Sequence, residues 1–325
     1  MSYKNIYILG VGGSGMSSIA KYLKQKGDNV IGYDQRKSYV TNLLNQDGIK
    51  VVHTLDEITY KPESLYIYSS AIPIESDRFE DFYDKENVLS RPEYLKNLSE
   101  NHKIIGITGT HGKTSTTALL SHIFHFNNVN VSYLYGGITT FNGIGGHYGD
   151  PDQPLILETD EAFNTFEKIK ISDLLVLNVD SDHLDYFKNL DNYKDAFYKV
   201  MKNVTDNLVI NNDDLNIKSM KELKNPVSYG KDIAADFKVQ SPGTFIYENN
   251  KYEIKSDIIG DHFKANMLGA IILALLNGIE IKDSLNAIES FAGVKRRIEL
   301  IGISKGVLIY DDYGHHPTEM EATIT

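Results

Sequence analysis

The sequence predicts an α/β protein in which parallel strands form sheets covered by helices. Through the first half of the 325 residues, short apolar segments of strand length alternate with segments whose apolar residues recur at helical spacing. Two glycine-rich turns, at residues 10–15 and 109–114, each lie between such a strand and such a helix. This alternation is typical of layered α/β folds with parallel strands.

Length, charge and composition exclude several classes of protein. At about 100–200 residues per domain, the chain has room for two or three domains. Lys and Arg number 33 against 44 Asp and Glu, and the resulting net charge of −11 disfavours nucleic acid as a partner. The lack of cysteine excludes disulfides, thiolate zinc sites and cysteine nucleophiles. Because no apolar run reaches about 18 residues and no signal-peptide pattern is present, we expect a cytoplasmic protein with no membrane partner.

The first module is predicted to span residues 1–99. Strands are expected at residues 6–10, 30–33 and 65–69, and helices at 14–27 and 91–102. Gly27 is a suitable residue to end the first of these helices, because glycine adopts the left-handed conformation found after helix C-termini.

The second module is predicted to span residues 100–304. Strands are expected at 104–108, 155–158, 174–178 and 208–211, and helices at 113–126 and 265–277. Residues 226–258 are predicted to form a small extra β-sheet with a hairpin turn at 248–251. A further strand at 307–310 lies in a short final segment, residues 305–325, which cannot bury a core by itself.

The first glycine-rich turn, GVGGSG at residues 10–15, has the form G-x-G-x-x-G. Glycines at this spacing let the backbone approach a diphosphate, which the following helix N-terminus then binds through its N–H groups. Asp34 lies at the end of the next predicted strand, where its carboxylate could accept a hydrogen bond from a ribose hydroxyl. The motif therefore predicts a Rossmann-like module, with NAD, FAD or a nucleotide sugar as ligand. The alternative is a turn that serves only helix–strand packing.

The second turn, GTHGKT at residues 109–114, is a shortened P-loop, because Ile107 stands where the general motif has its first glycine. Consecutive N–H groups form a nest for the β- and γ-phosphates of a nucleotide. Lys113 can neutralise charge on the γ-phosphoryl group, and the Thr114 hydroxyl can reach Mg²⁺. This turn predicts a P-loop-type central domain that binds ATP.

Three polar segments follow predicted strands. The sequence ETDE at 158–161 offers Mg²⁺ ligands or is a solvated loop. His183, among carboxylates at 178–185, is either a metal ligand or a structural histidine. Arg296 and Arg297 offer a planar fork for phosphate or form surface ion pairs, and DDYGHHPT at 311–318 follows the last strand.

These segments, in this order, resemble the Mur ligase family, the ATP-dependent ligases of peptidoglycan synthesis. The resemblance covers essentially the whole chain and is carried by GVGGSGMSSIA at 10–20, SSAI at 69–72, RPEYL at 91–95, GTHGKTSTT at 109–117, ETDE at 158–161, DHLDYF at 182–187, NNDD at 211–214, SYG at 228–230, FAGVKRRIE at 291–299 and DDYGHHPTE at 311–319. It implies a UDP-sugar-binding first domain, an ATP-binding second domain and a Rossmann-like, amino-acid-binding third domain. That third domain would begin near residue 307 and is largely absent, so the chain alone is expected to be nearly inactive.

The resemblance implies a reaction in which UDP-N-acetylmuramate, L-alanine and ATP combine through an acyl phosphate, with Mg²⁺ as cofactor. It implies UDP-sugar contacts from Gly12, Gly13, Ser14, Gly15, Met16, Asp34, Ser70 and Arg91. It implies ATP contacts from Gly109, Thr110, His111, Gly112, Lys113, Thr114, Ser115, Asn266, Arg297, Asp312, Tyr313 and His315. The implied catalytic residues are Lys113, Glu158 and His183, and the implied metal ligands are Thr114, Glu158 and His183.

Four positions depart from the family pattern. Ala162 and Phe163 replace a Ser and an Asp, and Phe263 replaces one of two adenine-side Asn residues. Phe197 stands at the position of a carbamylated lysine in some members. These departures motivate an alternative, a UDP-sugar or nucleotide-binding relative without catalysis. A muropeptide-recycling ligase and an NAD-dependent oxidoreductase are further alternatives.

Overall fold

The computed structural model describes residues 3–182, 184–220, 223–314, 320–321 and 324. His183 and His315, which the resemblance assigns to the site, lie outside the described residues. The described strands form three sheets, two of them rich in parallel pairs. The predicted α/β class is therefore confirmed.

The first sheet consists of parallel strands and carries the first glycine turn at its centre. Its elements are β1 (Asn5–Leu9), α1 (Ser14–Gln25), β2 (Val30–Tyr33), α2 (Tyr39–Gln46), β3 (Lys50–Val52), β4 (Ser64–Tyr68), β5 (Val88–Ser90) and α3 (Arg91–Ser99), with short 3₁₀ helices at Leu55–Glu57 and Asp77–Phe82. The spatial order is β3-β2-β1-β4-β5. Because β1 is central and lies between two parallel neighbours, four of its five residues are buried.

In the second sheet, the strand that leads into the second glycine turn lies between two parallel neighbours. Its strands are β6 (Ile104–Thr108), β7 (Ser132–Thr139), β8 (Gly143–His147), β9 (Leu155–Glu158), β10 (Asp173–Val176), β11 (Asn207–Asn211), β12 (Val227–Gly230), β13 (Phe237–Ser241), β14 (Thr244–Tyr247) and β15 (Asn250–Glu253). The spatial order is β15-β14-β13-β12-β11-β10-β6-β9-β7-β8. Since β6 pairs in parallel with both β9 and β10, the carboxyl ends of all three strands meet at one edge of the sheet.

Helices cover this sheet and supply most of its core. They are α4 (Lys113–Phe126), α5 (Leu184–Phe187), α6 (Leu190–Lys202), α7 (Leu215–Lys218), α8 (Asp261–Leu276) and α9 (Ile281–Glu289), with a 3₁₀ segment at Ala162–Lys168. Helices α4, α8 and α9 pack together, with the apolar side chains of β6 and β10 in the same cluster. Within the described residues, every helix falls short of the length or the apolarity that a bilayer-crossing segment needs.

Antiparallel strands extend the second sheet at both ends, β13–β14–β15 at one end and β7–β8 at the other. The predicted turn between β14 and β15 is confirmed, and both Glu248 and Asn249 adopt positive φ, as a tight hairpin turn requires. The β7–β8 hairpin was not predicted, because its strands are interrupted by glycines that weaken the strand pattern.

The last described strands form a separate two-stranded antiparallel sheet. Strand β16 (Glu299–Ser304) pairs with β17 (Val307–Asp311), and Ile301, Ile303 and Val307 are exposed. The final predicted strand is thus one arm of a hairpin whose other arm was not predicted. The predicted boundary between residues 304 and 305 falls in its turn, and the division into 1–99, 100–304 and 305–325 stays a prediction.

Helix α1 connects the two large sheets, because it packs against the β7–β8 hairpin. The ammonium group of Lys21, which is buried, donates to the carbonyl oxygens of Asn142 and Ile144, the latter at 3.2 Å. Burial lowers the pKa of Lys21. Gly146 makes the close approach possible, since a Cβ there would lie 2.1 Å from the Ser18 carbonyl oxygen. The helix that follows the first glycine turn is therefore anchored directly to the second sheet.

Acid is expected to destabilise the fold through His122, a buried histidine on α4. Its Nε2 lies 3.1 Å from the Ala287 carbonyl oxygen, and its Nδ1 has no hydrogen-bond partner among the described residues. Burial lowers the pKa of His122 below its ordinary value of 6.5. The unfolded chain therefore binds the proton more readily, and the free energy of unfolding should fall as the pH drops below about 6.5.

Urea unfolding between pH 7.5 and 5.5 measures this effect. His122→Gln should make the free energy of unfolding less dependent on pH. His125→Gln, at an exposed position on the same helix, should leave most of that pH dependence in place. An identical pH dependence for the original chain and His122→Gln would contradict the prediction.

Candidate active site

The turn between β6 and α4 is folded as an anion-binding loop. Gly109 and Gly112 have φ values of +145° and +85°, which favour glycine, and Gly112 is the N-cap of α4. A Cβ at Gly112 would also lie 2.4 Å from Nδ2 of Asn266. The backbone N–H of His111 donates to Oδ1 of Asn178 at 2.8 Å, which ties the loop to the end of β10. The arrangement leaves the N-terminus of α4 open to an anion.

Lys113, the first residue of α4, has its ammonium group fully engaged. Its Nζ donates to the carbonyl oxygens of Gly109 at 2.7 Å and Thr110 at 3.1 Å. It also lies 2.9 Å from both carboxylate oxygens of Glu161, which is completely buried. Because an ammonium group has three N–H donors, these three partners use all of them. Burial acts to lower the pKa of Lys113, but Glu161 and Asp160 outweigh it and the net shift is upward.

A buried tyrosine supports this ion pair from behind. The Tyr193 hydroxyl donates to Oε1 of Glu161 at 3.4 Å and lies 3.0 Å from the Thr110 hydroxyl. Thr110 in turn accepts from the backbone N–H of Asp180 at 2.8 Å. No role was predicted for Tyr193, which lies 83 residues after Thr110 in the chain and carries no motif that points to it.

Glu158 and Thr114 form a second polar pair beside the loop. The Thr114 hydroxyl donates to Oε1 of Glu158 at 2.7 Å, and the backbone N–H of Gly136 donates to Oε2 at 2.6 Å. A hydroxyl and a carboxylate next to a phosphate loop are the hard oxygen donors that Mg²⁺ prefers. Among the residues that the structure describes, no three His, Asp or Glu side chains are grouped so that they could hold a metal ion. The predicted third ligand, His183, lies outside these residues.

The first glycine turn is closed by Asp34. The backbone N–H of Gly12 donates to Oδ2 of Asp34 at 2.8 Å, and the N–H of Arg36 donates to Oδ1 at 3.0 Å. A Cβ at Gly12 would lie only 2.7 Å from Oδ2, so glycine is required for this contact. Asp34 thus supports the loop, and its predicted bond to a ribose hydroxyl remains a prediction. Met16 is buried in the core and Ser70 is exposed.

The first glycine turn faces the end of β9 across a cavity of about 100 Å³. One wall comes from Ser14, Gly15 and Arg91, and the other from Gly136, Glu158 and Asp160. The Arg91 guanidinium lies 3.9 Å from Asp160, and its Nε is buried without a hydrogen-bond partner among the described residues. The structure therefore brings predicted residues of both modules together across one small polar space.

A larger cleft of about 440 Å³ extends from the other end of the P-loop. Its walls include Gly112, Ser115, Asn178, Phe263, Asn266, Arg297 and Asp312. The Asp312 carboxylate accepts from the N–H groups of Ile298 at 2.7 Å and Gly314 at 2.6 Å. The Arg297 guanidinium lies 5.3 Å from the centre of the Tyr313 ring. Residues predicted to contact ATP from three distant segments are thus gathered on one cleft, which has room for a nucleotide.

The chain is similar to known proteins along nearly its whole length. The Mur ligase middle domain matches residues 107–274, and the Mur ligase family catalytic domain matches residues 5–103. The UDP-N-acetylmuramate–L-alanine ligase of Cytophaga hutchinsonii is 32% identical over 98% of this chain and 73% of its own length. The enzyme of that name from Clostridium botulinum is 35% identical over 99% of this chain and 73% of its own length.

Solved structures agree with the sequence comparisons. The UDP-N-acetylmuramate–alanine ligase of Thermotoga maritima superposes with a TM-score of 0.84 at 25% identity, covering 98% of this chain and 76% of its own. A murein peptide ligase from Psychrobacter arcticus shares the fold, with a TM-score of 0.78 at 23% identity. The match covers 99% of this chain and 75% of that protein. Taken with the two matched domains, these relatives show that the chain belongs to the Mur ligase family of ATP-dependent ligases.

Proposed function

We propose that this chain carries the UDP-sugar and ATP sites of a cytoplasmic enzyme that joins L-alanine to the carboxylate of UDP-N-acetylmuramate. Two observations support the proposal: the activity for which the relatives are named, and the cavity in which Arg91 and Ser14 face Glu158 and Asp160. The cavity is the observation that carries it, because it sets the proposed sugar-nucleotide loop opposite Glu158, which accepts a hydrogen bond from Thr114 beside the P-loop. Residues 1–99 would bind the UDP-sugar, 100–304 would bind ATP, and 305–325 would begin a third domain.

The proposed reaction transfers the γ-phosphoryl group of ATP to the muramoyl carboxylate. A carboxylate is a poor acyl donor, and the acyl phosphate gives it a leaving group that the amine of L-alanine then displaces as inorganic phosphate. Because two anions must meet in the first step, the site has to offset their repulsion. Lys113, the N–H groups of the P-loop and the Arg91 guanidinium are the positive groups available for this.

Thr114 and Glu158 are the described residues that would hold Mg²⁺. The bound ion would screen the phosphate charges and keep the transferred group oriented. Glu158 is held in place by the N–H of Gly136 and accepts from the Thr114 hydroxyl, so the two proposed ligands lie side by side at the start of α4. The role of the third predicted ligand, His183, is a proposal from the resemblance alone.

Binding measurements test the proposal most directly, since the chain covers 73% of the length of the relatives. Calorimetric titration should show one site for Mg-ATP and one for UDP-N-acetylmuramate, and each should remain when the other is saturated. NADH should not bind. An empty P-loop at saturating Mg-ATP would overturn the ligase function, and tight NADH binding would favour the oxidoreductase alternative.

Gly12→Ala is expected to weaken binding of UDP-N-acetylmuramate at least tenfold. The new methyl group would meet Oδ2 of Asp34 at 2.7 Å, so the carboxylate or the loop must move and the N–H groups facing the diphosphate move with it. Tenfold corresponds to about 1.4 kcal/mol. Calorimetry checks it, with Gly302→Ala as control, because nothing lies within 4 Å of a Cβ at that position. Mg-ATP affinity should be unchanged, and an unaltered UDP-sugar affinity in Gly12→Ala would contradict the prediction.

A further inference from the structure

We propose that two adjacent glycines of β7, Gly136 and Gly137, are positioning residues that hold Thr114 and Glu158 in place for a divalent cation bound with the nucleotide. Gly136 acts through its backbone N–H, and Gly137 acts through the space that its lack of a side chain leaves. No role was predicted for either glycine from the sequence. The inference deepens the proposed function and rests on it in one respect, the binding of Mg-ATP at the P-loop.

The two glycines lie where β7 departs from regular pairing. Strand β7 pairs with β9 as far as Leu134, and its pairing with β8 passes from Leu134 directly to Ile138. Residues 135–137 of β7 therefore stand opposite a single residue of β8 and form a bulge. A bulge takes backbone groups out of the ladder and can direct them to a neighbouring site. The N–H of Gly136 accordingly donates to the carboxylate of Glu158.

Gly136 fixes the orientation of the Glu158 carboxylate. Its N–H donates to Oε2 at 2.6 Å, while the Thr114 hydroxyl donates to Oε1 at 2.7 Å. Because each oxygen has its own donor, rotation of the carboxylate would break both hydrogen bonds. A backbone donor also cannot swing away as a side chain can, so this contact keeps Glu158 beside the P-loop.

Gly137 leaves the space that the Thr114 side chain occupies. A Cβ at position 137 would lie 2.9 Å from Cγ2 of Thr114 and 2.7 Å from Cγ1 of Val294, and both of these side chains are buried. Val294 is tied to β7 through an antiparallel bridge to Thr139. The methyl and hydroxyl of Thr114 share one Cβ, so a rotation that moves the methyl aside also carries the hydroxyl away from Glu158. Glycine at 137 therefore preserves the Thr114–Glu158 contact.

The gain in ATP affinity between EDTA and saturating Mg²⁺, measured by calorimetry, tests the proposal. In the original chain we expect a gain of about tenfold or more, because the cation offsets the charge of the phosphates. Gly137→Ala should shrink this gain about fivefold, since it moves one proposed ligand away from the other. ATP affinity in EDTA and affinity for UDP-N-acetylmuramate should change less than about twofold, whereas a general loss of folding would lower all three quantities. Gly302→Ala is the control, because nothing lies within 4 Å of a Cβ there.

A double-mutant cycle with Thr114→Ser identifies the contact responsible. Serine keeps the hydroxyl and lacks the methyl group that the new Cβ would meet. Combined with Thr114→Ser, Gly137→Ala should therefore change the Mg²⁺ gain by less than about twofold. The contact with Val294 is present in both arms of the cycle and cancels. Gly136→Ala should shrink the gain less than Gly137→Ala does, because its Cβ would lie 3.1 Å from the Ser14 hydroxyl and 3.5 Å from Oε2 of Glu158.

The outcomes separate this inference from the function on which it rests. An original chain that does not bind Mg-ATP would overturn both. If Mg-ATP binds, then an unchanged Mg²⁺ gain in Gly137→Ala, or an equal effect of Gly137→Ala with and without Thr114→Ser, would overturn the positioning role alone. Should Gly137→Ala not fold, an unchanged gain in Gly136→Ala would overturn it.

Discussion

Replacing Lys113 by methionine is expected to lower the affinity for Mg-ATP about hundredfold, which corresponds to about 2.7 kcal/mol. Methionine keeps the length and the apolar stem of the side chain and removes only the ammonium group. That group is the one side-chain cation that the described P-loop itself presents beside its N–H groups. Its loss leaves the phosphates facing Glu158, Asp160 and Glu161 with less compensation. Calorimetric titration with Mg-ATP measures the change, and UDP-N-acetylmuramate affinity should be preserved as the control.

The same substitution should also destabilise the chain without nucleotide, because it leaves the carboxylate of Glu161 buried without its cation. Burial raises the pKa of Glu161, and Lys113 is the main group that opposes this. In Lys113→Met the unfolded chain therefore loses its proton more readily, and stability should decrease as the pH rises from 4.5 toward neutrality. The double variant Lys113→Met with Glu161→Gln should recover the stability but not the ATP affinity. Undiminished Mg-ATP affinity in Lys113→Met would contradict the assignment.

The elements with local signals were predictable from the sequence. Strand β6 and helix α4 have the predicted bounds, because a buried apolar run and a glycine turn followed by a helical pattern determine both. Parallel strands place their carboxyl ends at one edge of a sheet, which brings the residues that follow them together. The sequence alone therefore led to the expectation that Lys113, Thr114 and Glu158 lie near one another.

Contacts between distant segments could not be predicted in this way. Tyr193 reaches Glu161 from a separate helix, and nothing in its neighbourhood differs from an ordinary amphipathic pattern. The hydrogen bond from the Gly12 N–H to the Asp34 carboxylate was not predicted, although Asp34 was singled out for a ribose contact that stays a prediction. Strand β16 was missed because it is largely exposed and acquires its strand geometry by pairing with β17. In each case the partner decides the role, and the partner is not adjacent in sequence.

Glu161→Gln is expected to act in the opposite direction from Lys113→Met and to tighten Mg-ATP binding about tenfold. In the nucleotide-free chain the third N–H of the Lys113 ammonium group donates to Glu161. A phosphate must therefore displace that carboxylate or share the ammonium group with it. Glutamine has nearly the same shape but no charge, and it competes less well for the ammonium group. It also removes one negative charge from the surroundings of a bound triphosphate.

Glu161→Gln should simultaneously lower the stability of the nucleotide-free chain, and the two effects have one origin. Breaking a buried ion pair can cost about 3–5 kcal/mol, but Lys113 keeps its bonds to Gly109 and Thr110, so we expect about 1–3 kcal/mol. A bound triphosphate would replace the missing anion, so saturating Mg-ATP should restore much of the lost melting temperature. Glu167→Gln, which neutralises a more exposed carboxylate in the same segment, should change neither quantity. If Glu161→Gln weakened Mg-ATP binding in a folded chain, Glu161 would be an aid to nucleotide binding and not a competitor for Lys113.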